Sequence, residues 1–288
     1  MRLGGPLFRT DGNIYQRFED AGEWIAAIKK MGYTAAYCPV NTDSSSSVKA
    51  DFRAAAEKEE ILIAEVGAWS NPLSLHPGER EAAIQKCQNA LALADEMGAC
   101  CCVNISGSRA EKWDGPSPQN LTSETFDMIV ESVREIVDAV RPRTASYTLE
   151  TMPWMFPDSA DSYLDLLKAI DRKAFAVHFD PVNLISSPQR YFSNADLIRD
   201  FVKKLGPHIK SCHAKDISLS DTLTVKLIEV RPGLGALDYA VFLGELNILG
   251  RDIPVMLEHL NGCEEYAAAA AHLKKVASRW KAPAWNKR

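Results

Sequence analysis

Four ionisable side chains each close a short apolar run in the second half of the chain. Glu150 ends Ser146-Tyr-Thr-Leu-Glu, Asp180 ends Phe175-Ala-Val-His-Phe-Asp, His213 ends Ile209-Lys-Ser-Cys-His, and Glu258 ends Ile253-Pro-Val-Met-Leu-Glu. One polar group at such a place is ordinary. Four in succession point to a shared centre. Three carboxylates held together repel one another, and burying them is costly unless they are protonated or neutralised. A divalent cation resolves both problems. Three oxygen donors and one imidazole nitrogen suit Mn²⁺, Mg²⁺ or Co²⁺ with positions left open for a substrate, and Zn²⁺ or Fe²⁺ also accepts the set. Mn²⁺ is the expected ion.

Such residues meet only if the runs are neighbouring strands of one sheet. Short apolar runs alternate with longer amphipathic stretches along the whole chain. The expected strands are Arg2–Phe8, Thr34–Val40, Ile61–Val66, Cys100–Ile105, Ser146–Glu150, Phe175–Asp180, Ile209–His213 and Ile253–Glu258. Between and after them, helices are expected over about Glu19–Met31, Val48–Glu60, Pro77–Met97, Ser123–Val140, Ser159–Ile170, Asn194–Leu205, Ala236–Leu249 and Glu264–Trp280. Gly32, Gly98, Gly206 and Gly250 follow periodic stretches, as helix C-caps do. The strands are nearly continuous apolar runs, as in a parallel sheet covered on both faces. Eight strand–helix units in 288 residues predict a single (β/α)₈ TIM barrel occupying residues 1–288 as one domain. The active site of such a barrel lies at the C-terminal rim of its strands, where these four groups fall. A doubly wound open sheet fits less well, because no Gly-rich phosphate turn follows the first strand.

Composition narrows the partners. The net charge is −5 and no basic stripe is visible, which argues against nucleic acid. No apolar stretch nears the ~20 residues of a membrane span. Met1-Arg-Leu-Gly-Gly-Pro lacks a basic segment leading into an apolar run, so no leader is expected and the location read is cytoplasmic. The seven cysteines, three of them adjacent at 100–102, fit neither a zinc motif nor a disulfide framework and read as buried thiols in a reducing compartment.

The motifs Thr148-Leu-Glu150, His178-Phe-Asp180-Pro-Val-Asn183, His213-Ala-Lys-Asp216 and Arg231-Pro-Gly-Leu-Gly235 carry a resemblance. In strand order and over essentially its whole length, the chain resembles the xylose isomerase-like barrel superfamily of sugar phosphate isomerases and epimerases, the ketose 3-epimerases among them. The resemblance implies that Glu150, Asp180, His213 and Glu258 hold the metal. It also implies that Glu150 and Glu258 act as an acid/base pair on opposite faces of a keto-sugar or related polyol, moving a proton through a metal-bound enediolate. It places Arg231 over the substrate oxygens; a turn-stabilising arginine is the plainer reading. The segment between His213 and Arg231 alternates polar and apolar residues, as a hairpin lid or a surface excursion would.

Further substrate contacts are expected from Trp69, Asn104, Trp113, Asn183 and Lys215, each with loop packing or a buried ion pair as the alternative. Asn71 and Trp154 lie in the same rim loops. His178 should point into the barrel one layer below Asp180, and His259 should face the helices. The chain departs from the ketose 3-epimerases at Asn183, where they carry histidine, and at Phe156, where they carry glutamate. These departures favour a larger substrate than a free ketohexose, such as a 3-keto glycoside or an inositol-like ring. No loop suited to gripping phosphate is visible. The competing reading is a lyase or dehydratase on a 3-keto glycoside or inosose, using the same metal and base. A third is a non-catalytic barrel or one dependent on a small partner subunit, and a homo-oligomer fits the resemblance. A phosphodiesterase resembling endonuclease IV is disfavoured, because it needs more histidine ligands and a basic face.

Overall fold

The apolar runs become parallel strands because helices cover one face and the opposite face turns into a barrel interior. The computed structural model describes residues 1–9, 11–15, 18 and 20–280. Its strands are β1 (Arg2–Gly4), β2 (Ala35–Ala36), β3 (Leu62–Ile63), β4 (Glu65–Gly67), β5 (Cys101–Asn104), β6 (Ser146–Glu150), β7 (Phe175–Phe179), β8 (Ile209–Ala214), β9 (Asp216–Leu219), β10 (Leu227–Val230) and β11 (Pro254–Leu257). The helices are α1 (Ala21–Met31), α2 (Ser46–Lys58), α3 (Pro77–Met97), α4 (Ser123–Val140), α5 (Ala160–Ile170), α6 (Pro188–Phe192), α7 (Asn194–Leu205), α8 (Tyr239–Ile248) and α9 (Gly262–Ala277).

Strands run in the order β1-β11-β8-β7-β6-β5-β4, with β2 and β3 paired beside them. Two backbone bonds close the ring. Thr34 N donates to Leu3 O at 2.9 Å, and Cys100 N donates to Ile63 O at 3.1 Å. β3 and β4 together serve as the third barrel strand, broken at Ala64. The result is the expected (β/α)₈ barrel. β9 and β10 form a separate antiparallel hairpin between the seventh and eighth barrel strands.

Every residue of β6 and β7 is buried. Tyr163 of α5 reaches between them: its hydroxyl accepts from the Leu149 and His178 amides at 3.1 and 3.2 Å and lies 2.7 and 2.9 Å from Leu149 O and Ala176 O. Helix α4 shows the usual logic of the outer layer. Ile129, Val130, Val133, Ile136 and Val137 recur at helical spacing and are buried, while Thr122 caps its first turn. Gly32 and Gly98 end α1 and α3 in the left-handed region, at φ 64° and 68°.

Boundaries differ from expectation where local chemistry intervenes. The first strand stops at Gly4 rather than Phe8, since Pro6 offers no amide to a ladder. Gly4 lets the neighbouring strand approach closely: a Cβ there would sit 2.6 Å from Ala35 O. Helix α8 begins at Tyr239 rather than Ala236 because the Asp238 side chain accepts from Val241 N at 2.9 Å. The short helix α6 was not expected; Ser187 caps it and Pro188 occupies its first turn. Glu19, where the first helix was expected to start, lies outside the described residues. Among the described residues no helix is long and apolar enough to cross a membrane, and all seven cysteines are free.

Candidate active site

Each strand end delivers its side chain by a visible local device. Glu150 closes β6, and its Oε1 accepts from Asn183 Nδ2 at 3.0 Å. Asp180 follows β7. Its Oδ1 accepts from the Val182 and Asn183 amides at 2.9 and 3.3 Å, which leaves Oδ2 aimed at the barrel axis. Thr151 pins the Asp180 backbone from both sides, donating to its carbonyl at 2.8 Å and accepting from its amide at 3.1 Å. His213 lies in β8, with Nδ1 3.1 Å from Glu150 Oε1 and 2.9 Å from Glu258 Oε1. Glu258 follows β11 directly.

The four groups converge: one ligand atom from each lies within 4.8 Å of every other. Asp180 Oδ2 and Glu258 Oε1 are buried without an aligned hydrogen-bond donor. Three buried carboxylates and an imidazole nitrogen gathered at this range have the donor chemistry a divalent cation takes. The residues therefore fit such an ion.

Lys215 is the fifth member. Its ammonium lies 2.8 Å from Asp180 Oδ2 and 2.7 Å from Glu258 Oε1, with Glu150 and Glu229 at 3.7 and 3.9 Å. Burial pushes the Asp180 carboxyl up to about 6, against the pull of Lys215, and the neighbouring Glu150 and Glu258 push the same way. Burial also raises Glu150 and Glu258, but the His213 imidazolium outweighs it and holds both below the usual carboxylate range. His213 and Lys215 move the opposite way. Burial disfavours their charge, yet the surrounding carboxylates hold both well above their ordinary values.

Above these groups opens a cavity of about 520 Å³, within the range of small-molecule sites. Trp69, Trp113 and Trp154 stand around it, each a little over a third exposed. The Trp69 ring lies 6.4 Å from that of His213. Gly67 makes room for it, since any side chain there would strike the Trp69 indole nitrogen. Trp154 is fixed by donating from Nε1 to Asp114 O at 2.9 Å. Asn183 and Lys215 also line the cavity.

Two expected substrate contacts are corrected. Asn104 is fully buried and turned outward: its Oδ1 accepts from Ser70 N at 3.1 Å and its Nδ2 faces Cys87 Sγ and Tyr147 Oη. It shares the strand parity of Cys102, which packs in the hydrophobic core. Arg231 does not line the cavity. It pairs with Glu265 of α9 at 2.9 Å, because Asp216 draws the Arg231–Gly235 turn inward. Asp216 Oδ2 accepts from the Gly233 and Gly235 amides at 2.9 and 3.1 Å. Any Cβ on Gly235 would strike Asp216 Oδ1, so this position requires glycine.

His259 is also corrected. It lines the mouth and lies 3.2 Å from Glu229 rather than facing the helices. Its φ of 59° breaks the strand alternation on which the expectation rested.

His178 lies beneath the four groups, as expected. Beside it stands a residue that sequence reasoning missed. Glu65 of β4 is buried, with Oε2 3.2 Å from His178 Nε2 and Oε1 3.5 Å from His213 Nε2. Burial raises its carboxyl, but the His213 and His178 imidazoles together bring it down to about 2. The available signal was a lone carboxylate inside the apolar run Ile61-Leu-Ile-Ala-Glu-Val66.

A closed parallel barrel with a carboxylate–histidine cluster at its C-terminal rim defines a class of small-molecule enzyme scaffolds. Residues 25–276 match the xylose isomerase-like TIM barrel family, and the chain belongs to it. No curated protein matches the sequence. Among solved structures it resembles D-psicose 3-epimerase from Clostridium cellulolyticum H10 (TM-score 0.67, 16% identity, 96% of this chain and 99% of that one). It also resembles a xylose isomerase-like TIM barrel protein from Mycobacterium smegmatis in complex with magnesium (0.66, 17%, 96% and 95%). A third is 3-keto-D-glucoside 4-epimerase from E. coli (0.65, 14%, 96% and 99%). At these identities the likeness is one of fold.

Proposed function

We propose that the chain is a divalent-metal-dependent isomerase or epimerase that transfers a proton next to the carbonyl of a keto-sugar or related polyol. The observation that carries this reading is the approach of Glu150 and Glu258 to one imidazole nitrogen, at 3.1 and 2.9 Å, on the floor of the cavity. In the order β6-β7-β8-β11 their strands are the outer two of four. A sugar held between them offers one face to each carboxylate.

Glu150, Asp180, His213 and Glu258 would hold the ion. When bound, it supplies Lewis-acid polarisation of the substrate carbonyl, which acidifies the adjacent C–H. One carboxylate takes that proton on its oxygen. Its counterpart on the other face returns one, to the same carbon for epimerisation or, through a relay between oxygens, to the neighbouring carbon for isomerisation. Asn183 orients the Glu150 carboxylate and Lys215 that of Glu258. The tryptophans supply apolar faces against which a sugar ring packs, and their width favours a glycoside or inositol-like ring. Among the metals the donor set accepts, Mn²⁺ is the first candidate.

The test combines elemental analysis with solvent-deuterium exchange on keto-sugars and 3-keto glycosides. About one divalent ion per wild-type chain is expected, reduced or lost in Glu150→Gln and Glu258→Gln. Deuterium should enter next to the carbonyl, and each variant should slow that exchange at least 100-fold. Wild type that takes up no ion when Mn²⁺, Mg²⁺ and Co²⁺ are supplied overturns the reading. A product lighter by one water assigns the same proton transfer to a lyase instead.

A further inference from the structure

We infer that Glu65 is a positioning residue for the metal centre, fixing the tautomer and ring orientation of His213 from below. The inference rests on the metal-binding reading above. Glu65 opens β4, on the far side of the barrel interior from β8, and is 2% exposed. Among the described residues, two imidazoles stand beside its carboxylate, one at each oxygen. Both oxygens, and the His178 Nε2 and His213 Nε2 nitrogens that face them, are buried without an aligned hydrogen bond, so the approach is one of distance and burial.

The two nitrogens of His213 face different chemistry. Nδ1 points at Glu150, Glu258 and, at 4.0 Å, Asp180. Nε2 points at Glu65. A ring nitrogen that ligates a cation must present its lone pair, which puts the ring proton on the other nitrogen. Here that proton would lie on Nε2, and Glu65 Oε1, 3.5 Å away, is the acceptor a small rotation of the ring would bring into line. The other oxygen faces His178, whose ring stands edge-on to His213 with centroids 4.2 Å apart and planes at 72°. Glu65 thus tethers both rings, and His178 blocks rotation of His213. Only an acceptor on both oxygens serves two N–H groups. A glutamine of the same shape would turn an NH₂ toward one of them. Outer partners of this kind are worth roughly 10–100-fold in metal affinity.

The experiment is Mn²⁺ titration of wild type, Glu65→Gln and Glu65→Asp against a competing chelator, with thermal unfolding of each and long-range ¹H–¹⁵N NMR of the histidines. Glu65→Gln should bind Mn²⁺ about 10–100-fold more weakly at a near-normal melting temperature. Glu65→Asp, which keeps the acceptor charge, should recover part of the loss. In the Mg²⁺-loaded protein, NMR should place the wild-type His213 proton on Nε2 alone. A Glu65→Gln protein that folds and binds Mn²⁺ as tightly as wild type overturns the inference and leaves the metal centre standing. So does a Mg²⁺-loaded wild-type His213 whose single proton lies on Nδ1, a readout that stands even if the variants do not fold. Two ions per wild-type chain and one in Glu65→Gln would make Glu65 a ligand instead. Wild type that binds no Mn²⁺ removes the reading beneath both.

Discussion

Lys215 carries the electrostatic balance of the site. It is a buried ammonium within 4 Å of four carboxylates, and two of those contacts are shorter than 3 Å. Lys215→Met removes the cation and leaves like charges facing one another. Breaking a buried pair in this way costs about 3 kcal/mol, which urea unfolding should register, and saturating Mn²⁺ should restore part of it. Asp95 makes a second prediction, away from the site. Its Oδ1 accepts from the amides of Arg143, Thr144 and Ala145 and from the Thr144 hydroxyl, at 2.6–2.9 Å. Burial raises this carboxyl, but the donors outweigh it and hold it at about 2, against an ordinary 3.8. The folded state therefore prefers the charged form. The stabilisation is complete above pH 4 and is lost as pH falls toward 2. Asp95→Asn should cost about 2 kcal/mol at pH 7, and its difference from wild type should shrink across pH 4 to 2 in denaturant titrations. At this scale Glu150, Asp180, His213 and Glu258 were legible in the sequence because each follows an apolar run. Glu65 was not, since it lies within its run and shows its role only when His178 and His213 arrive from other strands. Asn104 misled because a strand end was read without its parity.

Among the elements, α5 does more than cover the sheet. The Tyr163 hydroxyl ties β6 to β7 beside Glu150 and His178. Tyr163→Phe keeps the ring but strips partners from buried amides, at a cost of about 1–3 kcal/mol. A drop in melting temperature, with weaker Mn²⁺ binding as Glu150 loosens, is the expected outcome; unchanged values for both would show that the two strands hold register without it. The barrel itself was readable from the alternation of runs, and so were most helix ends, because caps and glycines mark them. The shortness of β1 and β2 was not. Their ladders depend on close packing at Gly4 rather than on anything the apolar pattern carries. The Arg231–Gly235 turn was visible as a motif, but its arginine was aimed wrongly, because the anchor that sets its direction is Asp216, fifteen residues earlier.

On the scale of the molecule, the four groups proposed to hold an ion span residues 150–258 and come together only when four strands are in register. An ion that binds this assembly and not the unfolded chain stabilises the whole fold. At a free concentration of 100 times its dissociation constant, Mn²⁺ should add about 2.7 kcal/mol. Calorimetry should show a melting temperature that climbs with Mn²⁺ in wild type and stays flat in Glu258→Gln.

The three tryptophans around the mouth have a consequence of another kind. They follow β4, β5 and β6, whereas the ionisable groups follow or end β6, β7, β8 and β11. On the proposed function, recognition and proton handling therefore occupy neighbouring arcs of the rim, meeting at β6. A descendant could exchange the loops that bear Trp69 and Trp113 and acquire a new diet while its acids and bases stay where they are. The arrangement divides heritable change from retained chemistry along a seam of the barrel.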